Sequence, residues 1–297
     1  MLGTIGLFLR ANDNDYQQRL KEVGQREAKR QGFDLLIESA QNDPQRQVDQ
    51  IRAAMQSAST TKLVAVLVSS VREEPLALVA KETAEAGFDF AILNESEFID
   101  ELRNQYPSKA IFAVTADQIE IGRIHGHQSR TLFPAQTQVL CVCGPLSTIM
   151  GRQRLDGLKE VLGSDYPLIE LQADWTSEGA RMAVERWANA QPSDASLPTM
   201  LVAHNDEMAL GVRQAVRDFA SKRELSLSST FITGCDGSQT FGQRLVKESR
   251  IKSTVIMPPS SGVAIEWIAR SKTRHELPPV RVVQPVTSFP SLPSLKP

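Results

Sequence analysis

At 297 residues, with 41% hydrophobic and 23% charged side chains, the chain has an ordinary globular composition and enough length for two domains, each with its own core. A formal net charge of −2 and the lack of any basic block exclude a phosphate-backbone reader. No apolar run approaches the ~18 residues of a membrane span, the longest, Leu63 to Val68, being the size of a strand.

From the amino end, Thr4 to Leu9 predicts a strand and Tyr16 to Arg30 a helix with Leu20, Val23 and Ala28 inward. Phe33 to Glu38 predicts the next strand, and Asp43 with Pro44 at the first helical position opens a helix to Ser57. Leu63 to Ser69 is aliphatic almost throughout, as a strand covered on both faces must be. A helix at Pro75 to Ala86 and strands at Phe88 to Leu93 and Ala110 to Thr115 complete this half. The pattern then restarts, with helices at Ile119 to Leu132, Ile149 to Leu162, Glu178 to Ala190 and Glu207 to Phe219. Between and after them come strands at Val139 to Cys143, Leu168 to Leu171, Met200 to Ala203, Phe231 to Cys235 and Ser253 to Ile256. Alternation of this kind specifies α/β units around parallel sheets.

After Pro258 only one helix, Gly262 to Ala269, and one strand, Val280 to Val283, remain, too little for a core of their own, so they join an existing sheet. The reading is therefore two doubly wound parallel-sheet domains with several crossings of the chain between them. The first takes residues 1–116 plus 258–284 and the second 117–257 plus 285–297. The tail from Phe289 to Pro297, with three prolines, is expected to be extended and loosely held.

In doubly wound sheets ligands meet the carboxyl ends of the strands. Arg10, Asn12, Asp13, Asn14, Asp15 and Tyr16 follow the first strand, and Asn94 and Glu95 the fourth. In the second half a loop leads to Arg152 and Arg154, while His204, Asn205 and Asp206 follow one strand and Asp236 another. Asn, Asp and Arg donate and accept in fixed directions, as sugar hydroxyls require, and Tyr16 and Trp175 could cover a sugar ring. Each Asn or Asp could equally be a helix cap, but the theme recurs at five strand ends.

Catalytic signatures are missing: no G-x-S-x-G elbow, no phosphate-binding Gly loop and no metal-spaced cluster in the sequence. The sequence therefore reads as that of a binding protein, not an enzyme, with no cofactor and no metal. His125 and His127 fall on different faces of one helix and read as a solvated surface, and His204 as a buried or capping histidine. Cys141 and Cys143 alternate along one strand, far from Cys235 in sequence, so three free thiols are expected.

The segments Ala203 to Gly211 (AHNDEMALG), Gly234 to Gly237 and Ser253 to Pro259 resemble the ribose-type periplasmic binding proteins, relatives of the effector-binding cores of LacI-type repressors. Gly144 to Gly157, with Arg152 and Arg154, Ile5 to Asn14 and Gly32 to Ile51 are similar to the same family, so that the resemblance runs from about Thr4 to Val286. It implies ligand contacts at Arg10, Asn14, Tyr16, Asn94, Glu95, Arg154, Trp175, Asn205, Asp236 and Met257, around a sugar or polyol held in a cleft between two domains that close on it. Where pentose and hexose binders carry Asp-Arg, this chain has Asn94-Glu95; Met257 replaces a glutamine, and Arg10 a small polar residue. Unpaired buried groups cost about 1–3 kcal/mol each, which argues against ribose itself.

Two roles follow from the resemblance. A receptor for an ABC-type importer, partnered by its permease, would work in the periplasm or cell envelope. A LacI-like sensing module without a DNA-binding domain would be cytoplasmic and report to a partner protein. Met1 leads straight into the first strand without a basic leader, and free thiols suit a reducing compartment; both favour the second location, and the family the first. Neither role involves direct contact with nucleic acid or insertion into a membrane.

Overall fold

The computed structural model describes residues 2–12, 14–192, 199–222 and 230–297, so that Asp13, noted above, lies outside the described residues. The chain forms two compact units, residues 1–116 with 259–284 and residues 117–258 with 285–297. It changes unit at 116/117, 258/259 and 284/285.

The first unit runs β1 (Thr4–Leu9), α1 (Asp15–Gln31), β2 (Asp34–Ser39), α2 (Pro44–Gln56), the short α3 (Ala58–Thr61), β3 (Leu63–Val68), α4 (Glu73–Glu85), β4 (Asp89–Ile92), α5 (Ile99–Gln105) and β5 (Ile111–Ala116). The second runs α6 (Gln118–Leu132), β6 (Val139–Cys143), α7 (Ile149–Leu162), β7 (Leu168–Gln172), α8 (Ser177–Asn189), β8 (Met200–Ala203), α9 (Asp206–Lys222), β9 (Phe231–Asp236), α10 (Gly242–Lys247) and β10 (Ser253–Ile256). The chain then returns to the first unit with α11 (Ser261–Arg274) and β11 (Arg281–Gln284), and ends in the second with β12 (Thr287–Phe289).

The first sheet has the order β2-β1-β3-β4-β5-β11, parallel throughout. The second has the order β7-β6-β8-β9-β10-β12, parallel except for β12, which runs antiparallel on β10. Both orders reverse beside their first strand, at β1/β3 and β6/β8, which opens a crevice at the carboxyl end of each sheet. Every residue of β1 is buried because helices cover both faces: Leu7 and Leu9 pack with α1 and α11, and Phe8 with α2 and α4. Asn14 caps α1 by accepting the Gln17 N–H at 3.0 Å, and Asp43 caps α2 by accepting from Gln45 and Arg46.

The α6–α7 contact sets one wall of the second unit. A Cβ at Gly122 would stand 2.1 Å from the Arg154 carbonyl oxygen, and one at Gly157 2.0 Å from that of Ile119. Only a bare backbone at both positions lets the two helices approach this closely, and the approach carries Arg154 into the interior.

Three features depart from the sequence reading. The tail is anchored rather than loose: β12 pairs with β10, and Leu295 packs among Leu132, Leu158 and Tyr166. Its prolines hid one buried leucine. The helices α3, α5 and α10 have seven residues or fewer, too short to show a helical period in sequence. His125 is buried against Thr233, its Nδ1 3.2 Å from Thr233 Oγ1, rather than solvated, because α6 packs that face on the second sheet; His127 is exposed.

Candidate functional site

In the first unit the carboxyl edge is built on amide side chains. Gln47 donates to the Ser69 carbonyl at 2.9 Å and accepts from the Val71 N–H at 3.0 Å, while Gln17 donates to Ser69 Oγ at 3.0 Å, which fixes the loop after β3. Asn94 Oδ1 accepts weakly from the Ser70 N–H at 3.4 Å, so the loops after β3 and β4 touch. Arg10 lies half-buried at the end of β1, and Tyr16 packs half-buried against the core under α1. Asn14 spends its oxygen on the cap of α1 and keeps its amide.

Glu95 is held by a partner from far along the chain. Its side chain is 14% exposed; Oε1 takes the Arg281 Nε–H at 2.6 Å and the Ser96 N–H at 3.2 Å. Arg281, brought over on β11, also reaches Asp100 and the Ser96 carbonyl. The carboxylate thus ties the β4 loop to the sheet edge. No local pattern could disclose this, because the partner lies 186 positions away.

In the second unit four of the expected residues form one connected group. Arg154, 3% exposed, donates its Nε–H to Gln118 Oε1 at 2.8 Å, one Nη–H to the His204 carbonyl and the other Nη–H to Met257 Sδ at 3.4 Å. Its guanidinium carbon lies 5.4 Å from the centroid of the Trp175 ring. Among the described residues no carboxylate stands within ion-pair reach of it. Asn205 Oδ1 caps α9 by accepting the Met208 N–H at 2.7 Å, and its amide donates to the Trp175 carbonyl at 3.0 Å. The Trp175 indole lies over Gly144, where any Cβ would come within 2.3 Å of its ring.

Asp236, 7% exposed, ends β9 at a φ of 100°, a left-handed conformation that a non-glycine residue adopts only when its surroundings impose it. Asp206 braces the turn that follows. Its Oδ2 accepts the Gly237 N–H at 2.8 Å and its Oδ1 the Thr254 hydroxyl at 2.6 Å, clamping the residue after Asp236 to β10. The Asp236 carbonyl accepts from the Met257 N–H at 3.2 Å, which links the fifth expected residue to the other four.

Gln118 and Asp206 were not singled out by sequence as site residues. Gln118 opens α6 behind the Asp117 cap and reads only as a helix start; Asp206 was noted as a strand-end polar residue without a partner.

Beneath this edge the fold gathers Cys141, Cys143 and His204, all buried, a cluster that linear spacing does not reveal. The Sγ atoms of Cys141 and Cys143 are 3.5 Å apart, and Cys141 Sγ is 3.6 Å from His204 Nε2. The Gly144 N–H donates to His204 Nδ1 at 3.1 Å, which assigns the imidazole proton to Nε2, facing Cys141. A metal ion at Nε2 would have to displace that proton and leave the Gly144 donor opposed by another donor, which the hydrogen bonds as they stand do not favour. Burial first, then the Arg154 charge, holds His125 down at about 3, and the same two causes in the same order hold His204 well below the usual histidine value. Burial pushes Cys235 up to about 12. Arg154 is therefore the charge that both buried histidines feel.

A family model described as a periplasmic binding protein domain matches residues 5–268. The chain belongs to this family. Among curated relatives, a putative rhizopine-binding protein of Rhizobium meliloti is 28% identical over 240 residues, covering 78% of this chain and 69% of that protein. The ribose import binding protein of Haemophilus influenzae is 25% identical over 262 residues, covering 86% and 80%. Among solved structures, an ABC transporter periplasmic solute-binding protein from Actinobacillus succinogenes with bound D-allose superposes with a TM-score of 0.80 at 18% identity, covering 96% of each chain. A myo-inositol-binding protein of Caulobacter also reaches 0.80, at 17% identity, covering 97% of this chain and 93% of its own. At such identities the two structures establish the fold: two parallel-sheet α/β domains of the type I periplasmic binding proteins.

Proposed function

We propose that this chain is a solute-binding protein that captures a sugar or sugar-like polyol with the carboxyl-edge residues of both units and closes around it, as the receptor of an ABC-type importer on the outer side of the cytoplasmic membrane. The observation that carries the reading is Arg154, a buried guanidinium with no carboxylate partner among the described residues, set beside Trp175, Asn205 and Met257. An unpaired buried cation is costly, and the oxygens of a polyhydroxylated ring would take its remaining N–H groups. The Trp175 ring supplies the apolar face such a ring stacks on, and Asp236 can accept two hydroxyls. Family membership and the sugar and polyol ligands named for relatives and neighbours support the same class.

In this reading Arg10, Asn14, Tyr16 and Asn94 contact the ligand from the first unit, and Arg154, Trp175, Asn205, Asp236 and Met257 from the second. Glu95 acts from behind, holding the Asn94 loop through Arg281. Ligand contacts made only in the closed state shift the equilibrium toward closure, and the closed shape is what a permease would read.

The test is a thermal-shift screen over sugars, cyclitols, sugar acids and amino acids. A true ligand at about 100 times its dissociation constant adds about 2.7 kcal/mol of stability. Asp236→Ala should abolish that shift with unchanged circular dichroism, and small-angle scattering should show compaction. Silence across all sugars and cyclitols with a response to an amino acid would overturn the ligand class.

A further inference from the structure

The second unit has a pocket at the end of its sheet opposite the candidate site. It encloses about 700 Å³, within the range of small-molecule sites, and is lined where β9 and β10 begin, by Thr230, Phe231 and Lys252, and by the outer part of α9. Phe231 and Asp236 are the two ends of β9, which at the usual rise per residue places them about 17 Å apart.

The lining is strongly basic. Arg213, Arg217, Arg250, Lys252 and Lys296 all face it, and no acidic residue lines it among the described residues. Nor does any of the five make an ion pair with a described residue. Arg213 donates to the Arg250 carbonyl at 2.8 Å, and Lys252 Nζ lies 4.4 Å from the Phe231 ring centroid, so two of the charges are held in place. Burial, and after it Arg217 and Arg250, press the Arg213 pKa downward, the mark of like charges gathered without a counter-charge. Thr230 Oγ1 is buried without a hydrogen-bond partner. Val216, Ile251 and Leu295 give the pocket an apolar floor.

We propose that this pocket is a second binding site, for a phosphate-bearing molecule whose phosphoryl group meets Arg213, Arg250 and Lys252 while its carbon body lies on Phe231 and the apolar floor. Guanidinium groups match phosphate oxygens in pairs, and a dianion answers a cluster of five cations better than a single carboxylate does. The shared chemistry is a phosphoryl group, supplied either by a free organic phosphate or by the headgroup of an anionic lipid.

The test titrates the whole protein with inorganic pyrophosphate and with ADP by calorimetry, and measures co-sedimentation with phosphatidylglycerol vesicles against phosphatidylcholine vesicles. The double variant Arg213→Gln/Lys252→Gln should lose at least tenfold in affinity. So should Arg217→Gln/Lys296→Gln, whose side chains make no hydrogen bond with a described residue, so that the substitutions leave the described packing intact. Both should keep the thermal shift given by the sugar or polyol ligand. Response to pyrophosphate or ADP supports a soluble ligand, and response to phosphatidylglycerol alone supports a headgroup. Absence of all three responses at 1 mM phosphate would overturn the proposal, as would binding that survives both double variants or is abolished by Asp236→Ala.

Discussion

Gln118 Oε1 accepts the Nε–H of Arg154 at 2.8 Å, joining the first turn of α6 to the guanidinium at the centre of the second unit's carboxyl edge. Both side chains are buried, so Gln118→Ala leaves a charged donor unanswered. It should lower unfolding stability by about 1–3 kcal/mol and weaken ligand binding by about tenfold. Thermal denaturation and calorimetric titration measure the two effects; undiminished affinity would mean that the orientation of Arg154 is irrelevant to the ligand.

Gly144→Ala places a Cβ 2.3 Å from the Trp175 ring, a contact that only movement of the indole can relieve. Ligand affinity should fall more than tenfold, and the ligand-dependent change in tryptophan fluorescence should shrink with it. A variant that binds normally would remove Trp175 from the site.

Acid should destabilise this protein earlier than its net charge suggests. His125 has a folded pKa of about 3, against about 6.5 when unfolded, so below pH 6.5 the unfolded chain binds the extra proton. Its contribution is whole above about pH 6.5 and shrinks by about 1.4 kcal/mol per pH unit as pH falls toward 3. His204 is shifted in the same direction and adds to the slope. Urea unfolding at pH 7.5, 6 and 5 should show stability falling with pH, and His125→Gln should show a shallower fall; equal slopes would mean that the histidine is not sealed.

The ion pair between Glu95 and Arg281 sets a distinguishing case. Arg281→Ala should cost about 1–3 kcal/mol by leaving a mostly buried carboxylate unpaired. Glu95→Gln should be milder, and should leave the ligand-induced thermal shift within about twofold of normal. Loss of that shift would place Glu95 among the residues touching the ligand.

What the sequence could show depended on whether a feature was local. β1 and β3 carry unbroken apolar runs because helices cover them on both sides, and such runs are visible in any window. The capping roles of Asn14 and Asp43 lie within three residues of their partners and were equally legible. Strand-end counting picked out Arg154, Asn205 and Asp236, which the fold brings to one edge, because parallel sheets gather strand-end residues there. It could not find the Gln118 bond to Arg154, the Arg281 bond to Glu95 or the Cys141 neighbourhood of His204, which join residues 36, 186 and 63 positions apart. The loose tail was misread for the opposite reason, since composition outweighed one leucine that only the folded second unit could bury.

All three thiols are sealed in the interior of the second unit. Burial raises Cys235, and hydrogen bonding with Cys143 together with burial raises Cys141, so neither forms the thiolate through which oxidants act. Sealed from solvent in this way, the three cysteines sit in the core as small apolar side chains that cannot reach a second copy of the protein without unfolding. Their presence is therefore as compatible with life outside the cell as within it, and the cysteine count gives no weight to either address.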